Sequence, residues 1–272
     1  MGSPIFRRVI ALPQDHGSWV FLLSPLLIGL FAGKDFNTGS IFLILAAMAG
    51  FLIRHPITIL VKIFSHRRSE RDYPAAIFWT AIYALVGLLA VLALIRFGYT
   101  YVLYLAAPGL PVFAWHLWLV SRRSERRQIG IEIVASGVLA LAAPAAFWIG
   151  EGGYDPLGWW LFGLTWFQSA ASIVYAYLRL EQREMTERPT ASERLKMSRR
   201  ALAYTNFNLT SVIVFSWLDF LPHWLFIPYA LQWAETIWGT LQPAIRYKPT
   251  RIGIRQLLVS TLFTALFIIT WG

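Results

Sequence analysis

The chain has 272 residues, 57% of them hydrophobic and 14% charged, against roughly 25% charged in a soluble domain. Cysteine is absent, which excludes disulfides, thiolate metal sites and Cys nucleophiles. The net charge of +10 reads as basic loops between apolar spans, not as a nucleic-acid surface, and leaves anionic lipid headgroups as the partner that charge alone suggests.

Met1 to Gln14 carries Pro4, Arg7, Arg8 and Pro13 and no cleavable apolar core, so the first apolar helix is expected to stay in the protein. The entry Leu12-Pro-Gln-Asp-His-Gly-Ser-Trp19 places Gln14, Asp15, His16 and Ser18 together. Asp15 or Ser18 suits a helix cap. Gln14 and His16 have no such duty and are candidates for the mouth of a cavity. Runs long enough to cross the hydrocarbon, about 20 residues each, follow at 17–33, 39–61, 74–95, 99–120, 129–149, 157–178, 206–221, 223–242 and 253–271. The expectation is an all-α, polytopic helical bundle, one transmembrane domain over 1–272 with about nine spanning helices.

Charge then orients the chain. With the N-terminus in the cytoplasm, alternation of nine spans puts all of the 24 basic residues except Lys34 and Arg96 on the cytoplasmic side. The cytoplasmic loops, at about 62–73, 121–128, 179–205 and 243–252, are the longer and more polar ones. Since loops carry function, the working face is expected to be cytoplasmic. In the longest, Pro189 interrupts a helix-compatible mixture of Glu and Arg, and Thr190 or Ser192 suits the cap of a second short helix. Thirteen Trp, eleven Tyr and nineteen Phe suit two aromatic belts at the membrane interfaces.

Ionisable groups at membrane depth call for a functional reading. Arg54, Thr58 and Lys62 recur at i, i+4 and i+8, one helical face, with His55 and Pro56 alongside. This stripe reads as a wall of a water-filled cavity, Pro56 kinking the helix. The alternative is that Lys62 snorkels and Arg54 pairs with a carboxylate. Glu132 and Glu235 each need a partner or a proton, and Arg54 and His55 are the candidates at matching depth. Gln168 and Gln232 add hydrogen-bonding capacity to the same interior. His116, between Trp115 and Trp118, reads as interfacial and structural rather than as a haem or metal ligand.

Two resemblances follow from these residues. The Pro-Gln-Asp-His-Gly-Ser-Trp opening, the Arg54-His-Pro56 segment and the Arg-rich loops resemble the YwiC-like family of bacterial membrane proteins over nearly the whole chain. More distantly, the chain is similar to the UbiA-type intramembrane prenyltransferase superfamily. That resemblance implies nine spans, an inside N-terminus and catalytic loops after spans two and six. It draws in Arg122 and Arg123 with Gln128 and Gly130, similar to the superfamily's basic pair. It also draws in the segment Tyr175, Arg179, Glu181, Glu184 and Glu187, at the place of its second acidic motif. The superfamily's first Asp-rich motif, which holds Mg²⁺ on a prenyl diphosphate, is replaced here by Arg54, His55, Thr58 and Lys62. A basic stripe does not supply the carboxylates that Mg²⁺ wants, but it suits direct binding of an anion. No cofactor is expected.

Three functions remain open at this point. The first is a UbiA-like protein of the bacterial inner membrane that binds an isoprenoid or quinone-like lipid at its cytoplasmic face, as a divergent prenyltransferase or a former one. The second is a non-catalytic subunit or assembly factor of a larger membrane complex, respiratory or photosynthetic. The third is an anion transporter, for which no pair of broken-helix repeats is visible.

Overall fold

A computed structural model describes residues 7–13, 16–122 and 128–272, with residues 16 and 17 in backbone only. Gln14, Asp15 and Arg123 lie outside the described residues, as does the side chain of His16. Each of the nine apolar segments is helical. Helix α1 is a short turn, Arg8–Ala11; α2 is His16–Ala32, α3 Thr38–Phe64 and α4 Tyr73–Arg96. A 3-10 stretch, Thr100–Ala106, leads into α5, Gly109–Ser121. The fifth segment is two pieces, α6 Ile129–Ala140 and α7 Ala142–Glu151. Then come α8 Leu157–Arg183, α9 Ala191–Trp217, α10 Phe226–Leu241 and α11 Pro249–Trp271. Among the described residues, five helical segments are long and apolar enough to cross a membrane: Thr38–Phe64, Glu70–Arg96, Thr100–Ser121, Ile129–Glu151 and Pro249–Trp271. The protein is an all-α membrane bundle.

The bundle is built around α7. All nine residues from Ala142 to Gly150 are buried, and small side chains let neighbours approach. A Cβ on Gly29 would lie 2.2 Å from the Ala143 carbonyl oxygen, and one on Gly33 would lie 3.0 Å from the Cα of Gly150. Gly29 and Gly33 are four residues apart, so they fall on one face and bring α2 onto the backbone of α7. This is the small-residue packing that replaces the hydrophobic effect between helices in lipid. Around this seam pack Leu22, Leu26, Phe147, Leu161, Tyr229, Phe263 and Phe267. The outer faces carry the reverse pattern of a soluble protein: Leu85, Leu88, Leu89 and Leu92 on α4 are exposed, as are Leu258, Leu262 and Ile269 on α11. A hydrocarbon solvent requires that arrangement.

Caps fix where two helices start. Asn37 accepts from the Ser40 N–H while the Ser40 hydroxyl accepts from the Asn37 N–H, a reciprocal box that begins α3. Thr190 and Glu193 form the equivalent box for α9. The sequence reading placed a short second helix in this loop and began the seventh span at 206. Instead one unbroken helix runs from Ala191 through that span to Trp217. Likewise α3 is continuous through Pro56.

Candidate functional site

Three helices, α8, α10 and α11, converge on a cavity of about 630 Å³ beside the connection between α10 and α11. Its lining includes Tyr175 and Arg179 from α8, Glu235 and Trp238 from α10, and Arg246, Tyr247 and Lys248 from the connection. From α11 come Thr250, Arg251, Ile254, Arg255 and Leu258, among others. Five cations thus face one carboxylate.

Glu235 is the centre of the inner layer. Arg255 donates from Nε and Nη2 to its two oxygens at 2.6 and 2.7 Å, and the Tyr175 hydroxyl donates to Oε1 at 2.9 Å. Tyr175 reaches this position because residue 239 is glycine: a Cβ there would sit 2.3 Å from the Tyr175 hydroxyl oxygen. The partner of Glu235 is therefore Arg255, not Arg54 or His55 as sequence depth suggested. Arg255 lies at the start of the last apolar run, where charge alone assigns it to the cytoplasmic side, and only the antiparallel packing of α11 on α10 brings it to the acid.

Arg179 organises the outer layer. Its guanidinium is buried and donates from Nη1 to the carbonyls of Gly239 and Gln242 and to Gln182 Oε1, at 2.8, 2.7 and 2.8 Å. A cation thereby closes the C-terminal end of α10, where carbonyls lack helical partners and the dipole is negative. Gln182 returns a bond from Nε2 to Gly239 O and accepts from the Ala244 N–H. Aromatic rings separate the cations. Trp238 lies between Arg255, 3.5 Å from its ring centroid, and Arg179 at 5.1 Å. Tyr247 lies between Arg179 at 6.0 Å and Arg251 at 4.3 Å. Ring quadrupoles offset part of the mutual repulsion of these three guanidiniums. Arg246, Lys248 and Arg251 form no ion pair among the described residues, and Arg246 holds a left-handed backbone, φ 57°, a strained conformation that surrounding structure must enforce.

One turn deeper, the buried amides Gln168 and Gln232 meet. Gln232 donates from Nε2 to the Gln168 carbonyl and to Ser172 Oγ at 2.9 and 3.0 Å, and Gln168 Nε2 donates to the same hydroxyl at 3.1 Å. The shared interior anticipated for these two residues is thus a hydrogen-bonded seam between α8 and α10.

The other candidates lie elsewhere. None of the cavity's lining comes from α3. Arg54 is half-buried, its guanidinium 4.5 Å from the Phe51 ring centroid. Thr58 spends its hydroxyl on the Arg54 carbonyl, 2.8 Å away. His55 Nε2 lies 3.0 Å from the Val9 carbonyl, so this stretch receives α1, whose Ile10 is buried with Ile59, Ile63, Ala75 and Ala76. Lys62 is half-buried in the last turn of α3. Arg122 is exposed and lies 5.7 Å from the Trp118 ring. Glu132 accepts from the Tyr177 hydroxyl at 2.6 Å. Glu181 and Glu184 are exposed, and α8 ends at Arg183, before Glu187.

The Mg²⁺ that the prenyltransferase resemblance implies does not fit this donor set. A hard divalent ion wants several carboxylate oxygens, and the single carboxylate here is already held by Arg255 and Tyr175. The arrangement suits an anion instead.

Comparison with known proteins adds a family. The model described as YwiC-like protein matches residues 12–147. A relative from Bacillus subtilis (strain 168), carrying the name Uncharacterized protein YwiC, is 26% identical over 153 residues. The matched stretch covers 56% of this chain and 59% of that relative. No solved structure matches. The cavity residues from Tyr175 to Leu258 fall beyond the part the family model matches.

Proposed function

Taking as premise that the chain belongs to the YwiC-like family, we propose that it binds the anionic head of a membrane lipid in the α8–α10–α11 cavity. In this reading all nine segments cross a bacterial inner membrane with the N-terminus inside, so the cavity opens at the cytoplasmic leaflet. One observation carries the reading. The cations Lys248, Arg251 and Arg255 and the exposed apolar residues Ile254 and Leu258 line the same cavity along α11. Lys248 to Leu258 spans about 15 Å at 1.5 Å per residue. Lys248 and Arg251 come first and Leu258 last, with Ile254 and Arg255 side by side between them. A ligand with an anionic head and an apolar tail suits that mixed lining, and a fully soluble anion leaves Ile254 and Leu258 unused. An isoprenoid phosphate, the class drawn from the UbiA resemblance, has this form. The protein's part is electrostatic: charge-assisted hydrogen bonds from Arg and Lys hold the head.

The test is mass spectrometry of lipid retained after gentle solubilisation, on the wild type and on Lys248→Gln/Arg251→Gln. The wild type is expected to carry an anionic, phosphate-bearing lipid that the double variant loses. Equal retention by both, or only zwitterionic lipid on the wild type, contradicts the proposal.

A further inference from the structure

Within the cavity the cations differ in what releasing them would cost. Arg179 serves three acceptors at once, two of them backbone carbonyls, so its withdrawal breaks three hydrogen bonds and leaves the Gln242 carbonyl without a donor. Arg255 is different. Its side chain is 44% exposed, while that of the Glu235 it binds is 9% exposed. Its only acceptor among the described residues is that carboxylate, and the carboxylate has a second, independent hold from Tyr175. The contact between them is bidentate, guanidinium fork to two oxygens on one centre, the same geometry a guanidinium makes with a phosphate. The Arg255 guanidinium carbon lies 3.5 Å from the centroid of the Trp238 ring.

Resting on the lipid reading above, we propose that Glu235 is a built-in stand-in for the ligand. It occupies Arg255 until an incoming oxyanion displaces it, and Tyr175 keeps the displaced carboxylate in place. Arg246, Lys248 and Arg251, which have no carboxylate partner among the described residues, draw the anion in. Arg255 then receives it in Glu235's place. The ligand class narrows accordingly: the head presents two oxygens on one atom, as a phosphodiester, a phosphomonoester or a carboxylate does. The arrangement also sets a threshold, since any weaker anion loses the competition with Glu235. The consequence is counterintuitive for a residue at the centre of a binding site: removing Glu235 strengthens binding.

The experiment is calorimetric titration of short-chain phosphatidylglycerol into the full chain in an uncharged detergent. Wild type, Glu235→Gln, Glu235→Asp and Glu235→Gln/Arg255→Gln are compared. Glu235→Gln is expected to bind on the order of tenfold tighter than the wild type, the worth of one charge-assisted contact. Glu235→Asp keeps the charge but shortens the reach, and is expected to gain less. The double variant is expected to lose the gain. Binding by the wild type with no gain, or a loss, in Glu235→Gln overturns the stand-in role and leaves the lipid reading standing. A gain that survives Arg255→Gln shows mere removal of negative charge and overturns it as well. No binding by any of the four overturns both readings. Should Glu235→Gln fail to fold, Glu235→Asp decides alone: tighter than wild type supports the role, and equal or weaker overturns it.

Discussion

Arg179 donates to the Gly239 carbonyl at 2.8 Å, and through that bond α8 closes the end of α10. The Gly239 carbonyl also accepts from Gln182, so the contact belongs to a small buried network, not to an isolated pair. Arg179→Leu leaves the Gln242 carbonyl without its donor, whereas the Gly239 carbonyl keeps Gln182 Nε2 and Gln182 Oε1 keeps the Ala244 N–H. The expected loss of stability is about 2 kcal/mol, because an orphaned carbonyl costs roughly 1–3 kcal/mol. Thermal unfolding in detergent measures it. Arg251→Leu, at an exposed cation, is the control and is expected to cost less than about 1 kcal/mol. Equal effects from the two substitutions contradict the assigned role of Arg179.

Gly239→Ala tests the seat of Tyr175. The new Cβ would collide with the Tyr175 ring and hydroxyl, which has to move away from Glu235. Lipid retention is expected to fall together with stability. Gly163→Ala, where nothing lies within 4 Å of the new methyl, is expected to be neutral or to stabilise by about 0.5–1 kcal/mol through helix propensity. A Gly239→Ala protein that retains lipid as the wild type does contradicts the close approach.

Topology has its own measurement. A reporter fused after Gly272 is expected to read as extracytoplasmic, and one inserted within 186–198 as cytoplasmic. Both reporters on one side contradict the nine-span arrangement.

Much of the architecture was legible because lipid imposes long apolar runs, and their period needs no partner to be read. The ends were less legible. The α9 helix begins at Ala191, well before its apolar stretch, because the Thr190–Glu193 box starts a helix that polar residues then sustain. The Gly29–Gly33 spacing, which seats α2 on α7, is a recognisable small-residue motif in the sequence, but the spacing alone does not say which helix it seats against. At the site, Gln232 and Glu235 are legible as polar residues at span depth, and Tyr175 and Arg179 enter only through the segment that the prenyltransferase resemblance draws in. Arg255, Trp238, Tyr247 and Arg251 were missed for a physical reason. A cation near a span end looks the same whether it faces headgroups or turns inward, and only the docking of α11 on α8 and α10 decides. The stripe Arg54–Thr58–Lys62 shows the converse. Its spacing is real, but Thr58 satisfies its hydroxyl within its own helix.

The capping box of α9 carries a pH signature. Hydrogen bonds from the Thr190 N–H and hydroxyl hold the Glu193 carboxyl below its ordinary value. A carboxylate depressed in the folded state stabilises above the unfolded value, and that stability is lost as pH falls through the folded one. Glu193→Gln is therefore expected to be less stable than wild type near neutrality, and the gap is expected to close as pH drops below about 4.5. Thermal unfolding of both proteins across that range measures it. A gap unchanged at low pH contradicts the ionised cap.

The central claim, an anionic lipid head in the α8–α10–α11 cavity, is tested most directly by protection of a residue that lines it. The chain has no cysteine, so Thr250→Cys introduces a single thiol into the lining. The measurement is the rate of its modification by N-ethylmaleimide, an uncharged reagent, in phosphatidylcholine bilayers with and without phosphatidylglycerol. Thr186→Cys, in the connection between α8 and α9, serves as the exposed reference. The account expects phosphatidylglycerol to slow modification at position 250 severalfold and to leave position 186 unchanged. Equal rates at position 250 in the two bilayers would contradict it.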